Sequence, residues 1–198
     1  MSTDAKQIRR QQSHERILDA AARALCRDGF AGVGVASVMK DAGMTHGGFY
    51  AHFESREALL AEAVEHAGAQ SMRRLRERLR ARVADGATPL SALVEEYLSE
   101  VHVNALDGGC PVAALGPDLQ RGEPELRGAS SRRVQQLIGL VEQSLPPGSA
   151  PGSAMVVVST MIGAVQMARM VDSAQRSAML QHCRDALKSQ FDAAVPDR

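Results

Sequence analysis

Apolar residues recur along this chain at the three- and four-residue spacing of amphipathic helices, and period-two alternation is rare. Ile17, Ala20, Ala21, Ala24 and Leu25 form the first stripe. They predict a helix from about Ser13, which can cap it, to Arg27, ended by Asp28-Gly29. After a link over 31–34, Val35, Val38 and Met39 mark a short helix to about Asp41, and Gly43 stands where a helix C-terminus favours a left-handed residue. Thr45 caps a second short helix, from about His46 to Phe53. Ser55 caps a long one that carries Leu59, Leu60, Ala63 and Val64 inward and ends in the arginine-rich stretch from Arg73 to Arg82. Further helices are predicted from Thr88-Pro89 to about Leu106, Pro111 to about Leu119, Pro124 to about Leu145, Ser153 to Val171, and Ala174 to Ala194, with a proline- and glycine-rich loop over 146–152. The expectation is an all-α protein of about nine helices, with a small unit at residues 1–54 and a larger helical unit at 55–198.

The stretch from Val35 to Phe53 has the plan of a helix-turn-helix: a short helix, a glycine turn and a capped second helix. Ala42 is small where two crossing helices approach, and Val38 and Met44 can seal the gap. The second helix carries Gly47 and Gly48, each costing roughly 1 kcal/mol relative to alanine in a helix interior. Close approach of its backbone to a groove wall would give those glycines a reason. Of the six Phe and Tyr residues in the chain, four are Phe30, Phe49, Tyr50 and Phe53. Phe49 and Phe53, one turn apart, are predicted to face the small unit's core with Phe30. Tyr50 is rotated away from them, its hydroxyl free to reach a phosphate.

The run Gly43-Met-Thr-His-Gly-Gly-Phe-Tyr-Ala-His-Phe-Glu-Ser-Arg-Glu-Ala-Leu-Leu60 resembles the signature of the TetR family of transcriptional regulators, and Ile17-Leu18-Asp19-Ala20-Ala21 with Gly29-Phe30 resembles that family's first helix. The rear of the chain matches the family only in helical architecture and length. By position, the resemblance implies that Thr45, His46 and Gly47 sit at the groove-entering end of a recognition helix, where Gly47 and Gly48 let the backbone come near. Tyr50 and His52 resemble the family's phosphate-contacting pair. Arg56 stands where a basic residue commonly holds the DNA backbone, and Ser37 can bond a phosphate from the preceding helix. Gly34 departs from the pattern, since the family usually has Thr or Ser capping there. The function implied is a repressor that binds a near-palindromic double-stranded DNA operator as a homodimer and is released by a small molecule.

The last two predicted helices suit association. The first is apolar around most of its circumference, with Ser159, Gly163 and Ala164 small enough to let another helix approach; the second offers Met179, Leu180, Cys183, Leu187 and Phe191. Both pairing across a dimer and burial within one protomer are open readings. Cys110, after Gly108-Gly109 and before Pro111, falls at a helix N-terminus, where the dipole can lower a thiol pKa. It is a reactive sensor or a small packing residue. His102, Met161, Gln166 and Met170 are candidates to line the same interior, as effector-pocket or plain core residues.

Composition changes the picture in three places. The net charge is zero, but residues 1–82 hold 14 Lys/Arg against 10 Asp/Glu and residues 83–198 hold 9 against 13, so the front of the chain is the part suited to a polyanion. Arg9 and Arg10 lie in a basic tail, disordered or groove-tracking, and the stretch from Arg73 to Arg82 reads as a solvated helix face. The three cysteines are far apart, which fits neither a disulfide framework nor a zinc site and suits a reducing cytoplasm. The polar N-terminus lacks a signal-peptide pattern, and the apolar run from Met155 to Val171 is too short and too polar to span a bilayer, so no membrane partner is expected. No catalytic set, phosphate loop or metal-ligand cluster appears at useful spacing, and nothing orients His102 toward Cys110 as a reacting pair. Neither an enzymatic activity nor a metal or cofactor is therefore expected. A helical module turned to protein partners is the other alternative, and retention by duplex DNA separates the two.

Overall fold

The computed structural model describes residues 3–105, 108–115 and 124–192. Most of the described residues are helical, in ten segments with no strand. They are α1 (Thr3–Gly32), α2 (Val35–Asp41), a 3₁₀ helix (His46–Ala51), α3 (Arg56–Ala84), α4 (Pro89–Tyr97), α5 (Glu100–Asn104), α6 (residues 111–115), α7 (Pro124–Ser144), α8 (Ser153–Ala168) and α9 (Ser173–Phe191). None of the described helices is long and apolar enough to cross a membrane. The chain divides into two compact units, Met1–Gln70 with Leu106–Ser131, and Ser71–Ala105 with Arg132–Arg198.

The first unit is built on α1, α2, the 3₁₀ helix and the first turns of α3. Ile17, Ala21, Leu25, Val38, Met39, Phe49, Phe53, Leu59 and Val64 form one buried cluster, joined by Leu115, Leu126 and Ala129, with Phe30, Val35 and Met44 packed against it. α1 packs on α2, and α2 on the 3₁₀ helix. The turn between them is a Schellman closure: Gly43 N–H donates to Lys40 O at 2.9 Å and Met44 N–H to Met39 O at 2.8 Å. That closure sets Gly43 at φ 71°, a left-handed conformation that side chains disfavour.

Two elements of the first unit differ from the sequence expectation. α1 begins at Thr3, so Ser13 lies inside it and caps nothing. Residues 3–12 carry no apolar stripe, but Ala, Lys, Gln and Arg favour helix, and tertiary contacts made by Arg10 and His14 hold this extension down. At the other end α1 runs past the predicted stop to Gly32, kinking at Gly29 with φ 68°. The segment after the glycine turn is the second difference: it is a 3₁₀ helix of six residues rather than an α-helix.

In the second unit α8 and α4 each pack on α9. Leu90, Leu93, Val94, Tyr97, Val157, Met161, Val165, Leu180 and Leu187 are among its buried side chains. Glu95 receives Lys188 at 2.5 Å, and Arg184 donates to the Leu98 carbonyl at 2.6 Å, so charged groups tie α9 to the end of α4. The single helix expected from Thr88 breaks after Tyr97 because the Ser99 hydroxyl accepts His102 N–H at 3.1 Å and caps a new helix, α5. The expected ends at Leu106, Leu119 and Ala194 lie outside the described residues.

Gly43→Ala is expected to lower the unfolding free energy by about 1–2 kcal/mol, the cost of a left-handed non-glycine residue. Urea titration checks this, and an unchanged midpoint would contradict the turn geometry.

Candidate nucleic-acid interface

A 3₁₀ helix of six residues has no stability of its own, so its neighbours fix its position. Phe49 is 2% exposed and Phe53 3%, their ring centroids 5.7 Å apart. His14 of α1 stacks on Phe53 at 4.5 Å, and its Nε2 lies 2.9 Å from Glu62 Oε2 of α3. The Arg10 guanidinium donates to the Ala51 carbonyl at 2.9 Å, closing the C-terminal end. A second tie joins α1 to α3: Asp19 Oδ1 lies 2.6 Å from His66 Nε2 and accepts Gln70 Nε2 at 2.7 Å. Burial alone would raise the Asp19 carboxyl, but the hydrogen bonds from His66 and Gln70 outweigh it and hold its pKa below the ordinary carboxylate value.

Held in this way, the segment turns its chemistry outward. Thr45, His46 and Gly47 are exposed, and Tyr50 is 75% exposed with its ring edge-on to Phe49 at 5.2 Å. Thr45 supplies the extended N-cap backbone but no side-chain cap. A Cβ built on Gly47 meets nothing within 4 Å, and on Gly48 it makes only an ordinary contact of 3.6 Å with Met39 Cε. Neither glycine has a positive φ. Nothing inside the described chain therefore requires glycine at these positions. Ser37 is exposed on α2, beside an exposed Lys40 that the motif comparison passes over. Gly34 caps α2 with extended backbone and no side-chain bond.

His52 and Arg56 sit differently from their neighbours. The His52 Nδ1 atom is buried without a hydrogen-bond partner. Burial first, then the nearby His14 and Arg10 charges, push its pKa below the usual imidazole value. Arg56 is half-buried: Nε donates to Val33 O at 3.1 Å and Nη2 donates to Phe30 O, while Nη1 lies 3.9 Å from Glu57 Oε1. Its donors thus hold the α1–α2 link rather than projecting outward. Arg10 and His14 do positioning work that the motif does not mark. The signal was in the sequence: Lys6, Arg10 and His14 continue the Ile17–Ala21 stripe at four-residue spacing.

The effector-pocket candidates are distributed. Cys110 is buried in the first unit, and the other four belong to the second. Met161 is fully buried, Gln166 is half-buried, and the His102 ring packs edge-on against Tyr97 at 4.5 Å, its Nδ1 2.6 Å from the Tyr97 carbonyl. Burial foremost lowers the His102 pKa. Met170 does not face an interior: it lies just past the end of α8 and is 79% exposed. Among the described residues no His, Cys, Asp and Glu group could hold a metal ion.

Residues 17–63 match the family model for bacterial regulatory proteins of the tetR family. Over that segment the chain is similar to the TetR family. An uncharacterised HTH-type transcriptional regulator of Mycobacterium tuberculosis is 27% identical over 170 residues, covering 80% of this chain and 85% of that protein. The HTH-type transcriptional repressor NemR of Escherichia coli is 24% identical over 136 residues, covering 69% and 68%. The reduced form of E. coli NemR superposes with a TM-score of 0.76 at 20% identity, over 92% of this chain and 98% of that one. A TetR regulator from Chloroflexus aurantiacus gives 0.75 at 24% identity, over 94% and 99%. These structural likenesses bear on the fold alone. Both curated relatives are HTH-type transcriptional regulators by name.

The depressed His52 pKa has a stability consequence. A group whose folded pKa lies below its unfolded value contributes stability above the unfolded pKa and loses it as pH falls through the folded one. Folding stability is therefore expected to drop between pH 7.5 and 5.5, around the unperturbed histidine value of about 6.5. His52→Gln should reduce that dependence, as read by urea unfolding at both pH values; equal pH dependence in the two proteins would contradict the burial of the imidazole.

Proposed function

We propose that the chain is a cytoplasmic, dimeric repressor that reads a near-palindromic DNA operator through Thr45, His46, Gly47 and Gly48 and is released by a small-molecule effector. The observation that carries the reading is the outward 3₁₀ segment on a rigid aromatic base, with glycines that no internal contact demands. Thr45 and His46 meet base edges, Gly47 and Gly48 admit a groove wall, and Ser37, Tyr50 and His52 meet phosphates. Arg56 serves the phosphate register through the Phe30 and Val33 carbonyls it holds.

Dimerisation through α8 and α9 is supported by a stripe on α8. Met155, Ser159, Gly163 and Met167 recur every four residues; Met155 is 59% and Met167 46% exposed, and a Cβ on Gly163 would meet nothing within 4 Å. Such a face gains most from a second copy of itself. The effector reading centres on the second unit around His102, Met161 and Gln166, with Cys110 as either a reacting thiol or a packing residue and Met170 as surface. The effector favours a different separation of the two reading heads and need bind that state better by only a few kcal/mol.

The test is a binding titration on duplex DNA from upstream of the protein's own gene and on a scrambled duplex. Sedimentation of the complex should give two chains per duplex. His46→Ala should cost on the order of 1–3 kcal/mol on the cognate duplex and relax one position per half-site. Tyr50→Phe should weaken both duplexes alike. Equal loss on both duplexes for His46→Ala, with altered base preference for Tyr50→Phe, would overturn this placement.

A further inference from the structure

The first four turns of α1 exceed what the helix-turn-helix needs. The unit's buried cluster begins at Ile17, yet α1 starts at Thr3. The extension is polar and carries its cations in two rows. Lys6, Arg10 and His14 repeat every four residues; Arg10 grips the Ala51 carbonyl and His14 stacks on Phe53, so this row is seated on the C-terminal end of the recognition segment. Lys6 is one turn further out, about 6 Å along the axis from Arg10. Beside it, Arg9, Gln12, Ser13 and Arg16 face an open groove of about 570 Å³.

The charges in that groove are unequally engaged. Its two carboxylates have partners, since Asp19 accepts from His66 and Gln70, and Glu15 accepts Gln11 Nε2 at 3.2 Å. Arg16 donates only to the Ser13 hydroxyl, at 3.2 Å. The Lys6 and Arg9 side chains are exposed and make no hydrogen bond or ion pair with any described residue. Exposed Lys6, Arg9 and Arg16 outnumber Asp4, the one acid of this extension with no bond to a described residue, and such a row suits an extended polyanion rather than a single carboxylate.

We infer that the N-terminal extension of α1 is a second phosphate-binding surface, on which Lys6 and Arg9 hold the DNA backbone flanking each half-site while Arg10 sets the helix against the recognition segment. The occupant follows from continuity. Arg10 bonds the carbonyl of Ala51, the residue after exposed Tyr50, so a duplex seated on Tyr50 runs on past this row. The fit is to charge and not to base sequence, which makes the contribution one of affinity and salt dependence. The inference rests on the DNA-binding reading above.

The experiment compares full-length wild type with Lys6→Ala/Arg9→Ala on a labelled random-sequence duplex, titrated at several potassium chloride concentrations. A random duplex isolates backbone contacts from operator choice. Each lost phosphate contact lowers the slope of log affinity against log salt by about 0.9, so the double variant, which removes two contacts from each protomer of the proposed dimer, should lose about 3.6. Arg73→Ala/Arg80→Ala, which removes the same charge from exposed positions of α3, should leave the slope unchanged. Helicity and melting should match wild type in both. An unchanged slope for Lys6→Ala/Arg9→Ala overturns the proposal, as does an equal fall in the α3 control, which would report net charge alone. If wild type fails to bind any duplex, the regulator reading falls and this surface with it; wild-type binding with an unchanged variant slope removes only the surface.

Discussion

The burial of Phe49 and Phe53 is the constraint on which the rest of the first unit depends. A six-residue 3₁₀ helix with two adjacent glycines would not persist in water. Two rings sunk to 2% and 3% exposure turn it into a fixed feature, because rotating the segment would lift both rings out of the core. With Phe49 inward, the next residue is forced outward, and Tyr50 stands 75% exposed. The same orientation delivers Thr45, His46 and Gly47 to one exposed edge.

α1 supplies much of the bracing. It lends Ile17, Ala21 and Leu25 to the core, stacks His14 on Phe53, and bonds Ala51 through Arg10. Two carboxylate ties, His14–Glu62 and Asp19–His66, join it to α3. Exposed ion pairs contribute little to stability individually, and these are partly exposed, so their value lies in fixing the register of α1 against α3. Arg56 adds the same service at the α1–α2 link, where it donates to the Val33 and Phe30 carbonyls. Polar groups thus place an element that apolar burial makes stable.

Much of this was readable from residue order. Periodicity located the apolar faces of α1, α2 and α3, and the glycine at position 43 marked a left-handed turn before any geometry was known. The aromatic spacing marked the core of the first unit. What escaped follows from tertiary effects. The N-terminal ten residues of α1 have no apolar stripe, so their helix rests on residue propensity and polar spacing, which the Arg10 and His14 contacts make good. A 3₁₀ and an α-helix of six residues share their first turn, and their sequence patterns do not separate them. Ser99 looked like one polar residue in an amphipathic helix, whereas its hydroxyl restarts the helix. Arg56 fitted a DNA-contact motif equally well as a carbonyl clamp, and only the positions of Phe30 O and Val33 O distinguish the two.

The central claim is that the glycines of the recognition segment answer to an external surface and not to the fold. Gly47→Ala measures it directly, because urea unfolding and operator binding can be read on the same sample. A Cβ there meets nothing within 4 Å, so stability should hold or rise by up to about 1 kcal/mol. Operator affinity should fall at least tenfold, as the added methyl holds the backbone off the groove. Lost stability with unchanged affinity would contradict the account and return Gly47 to a structural role.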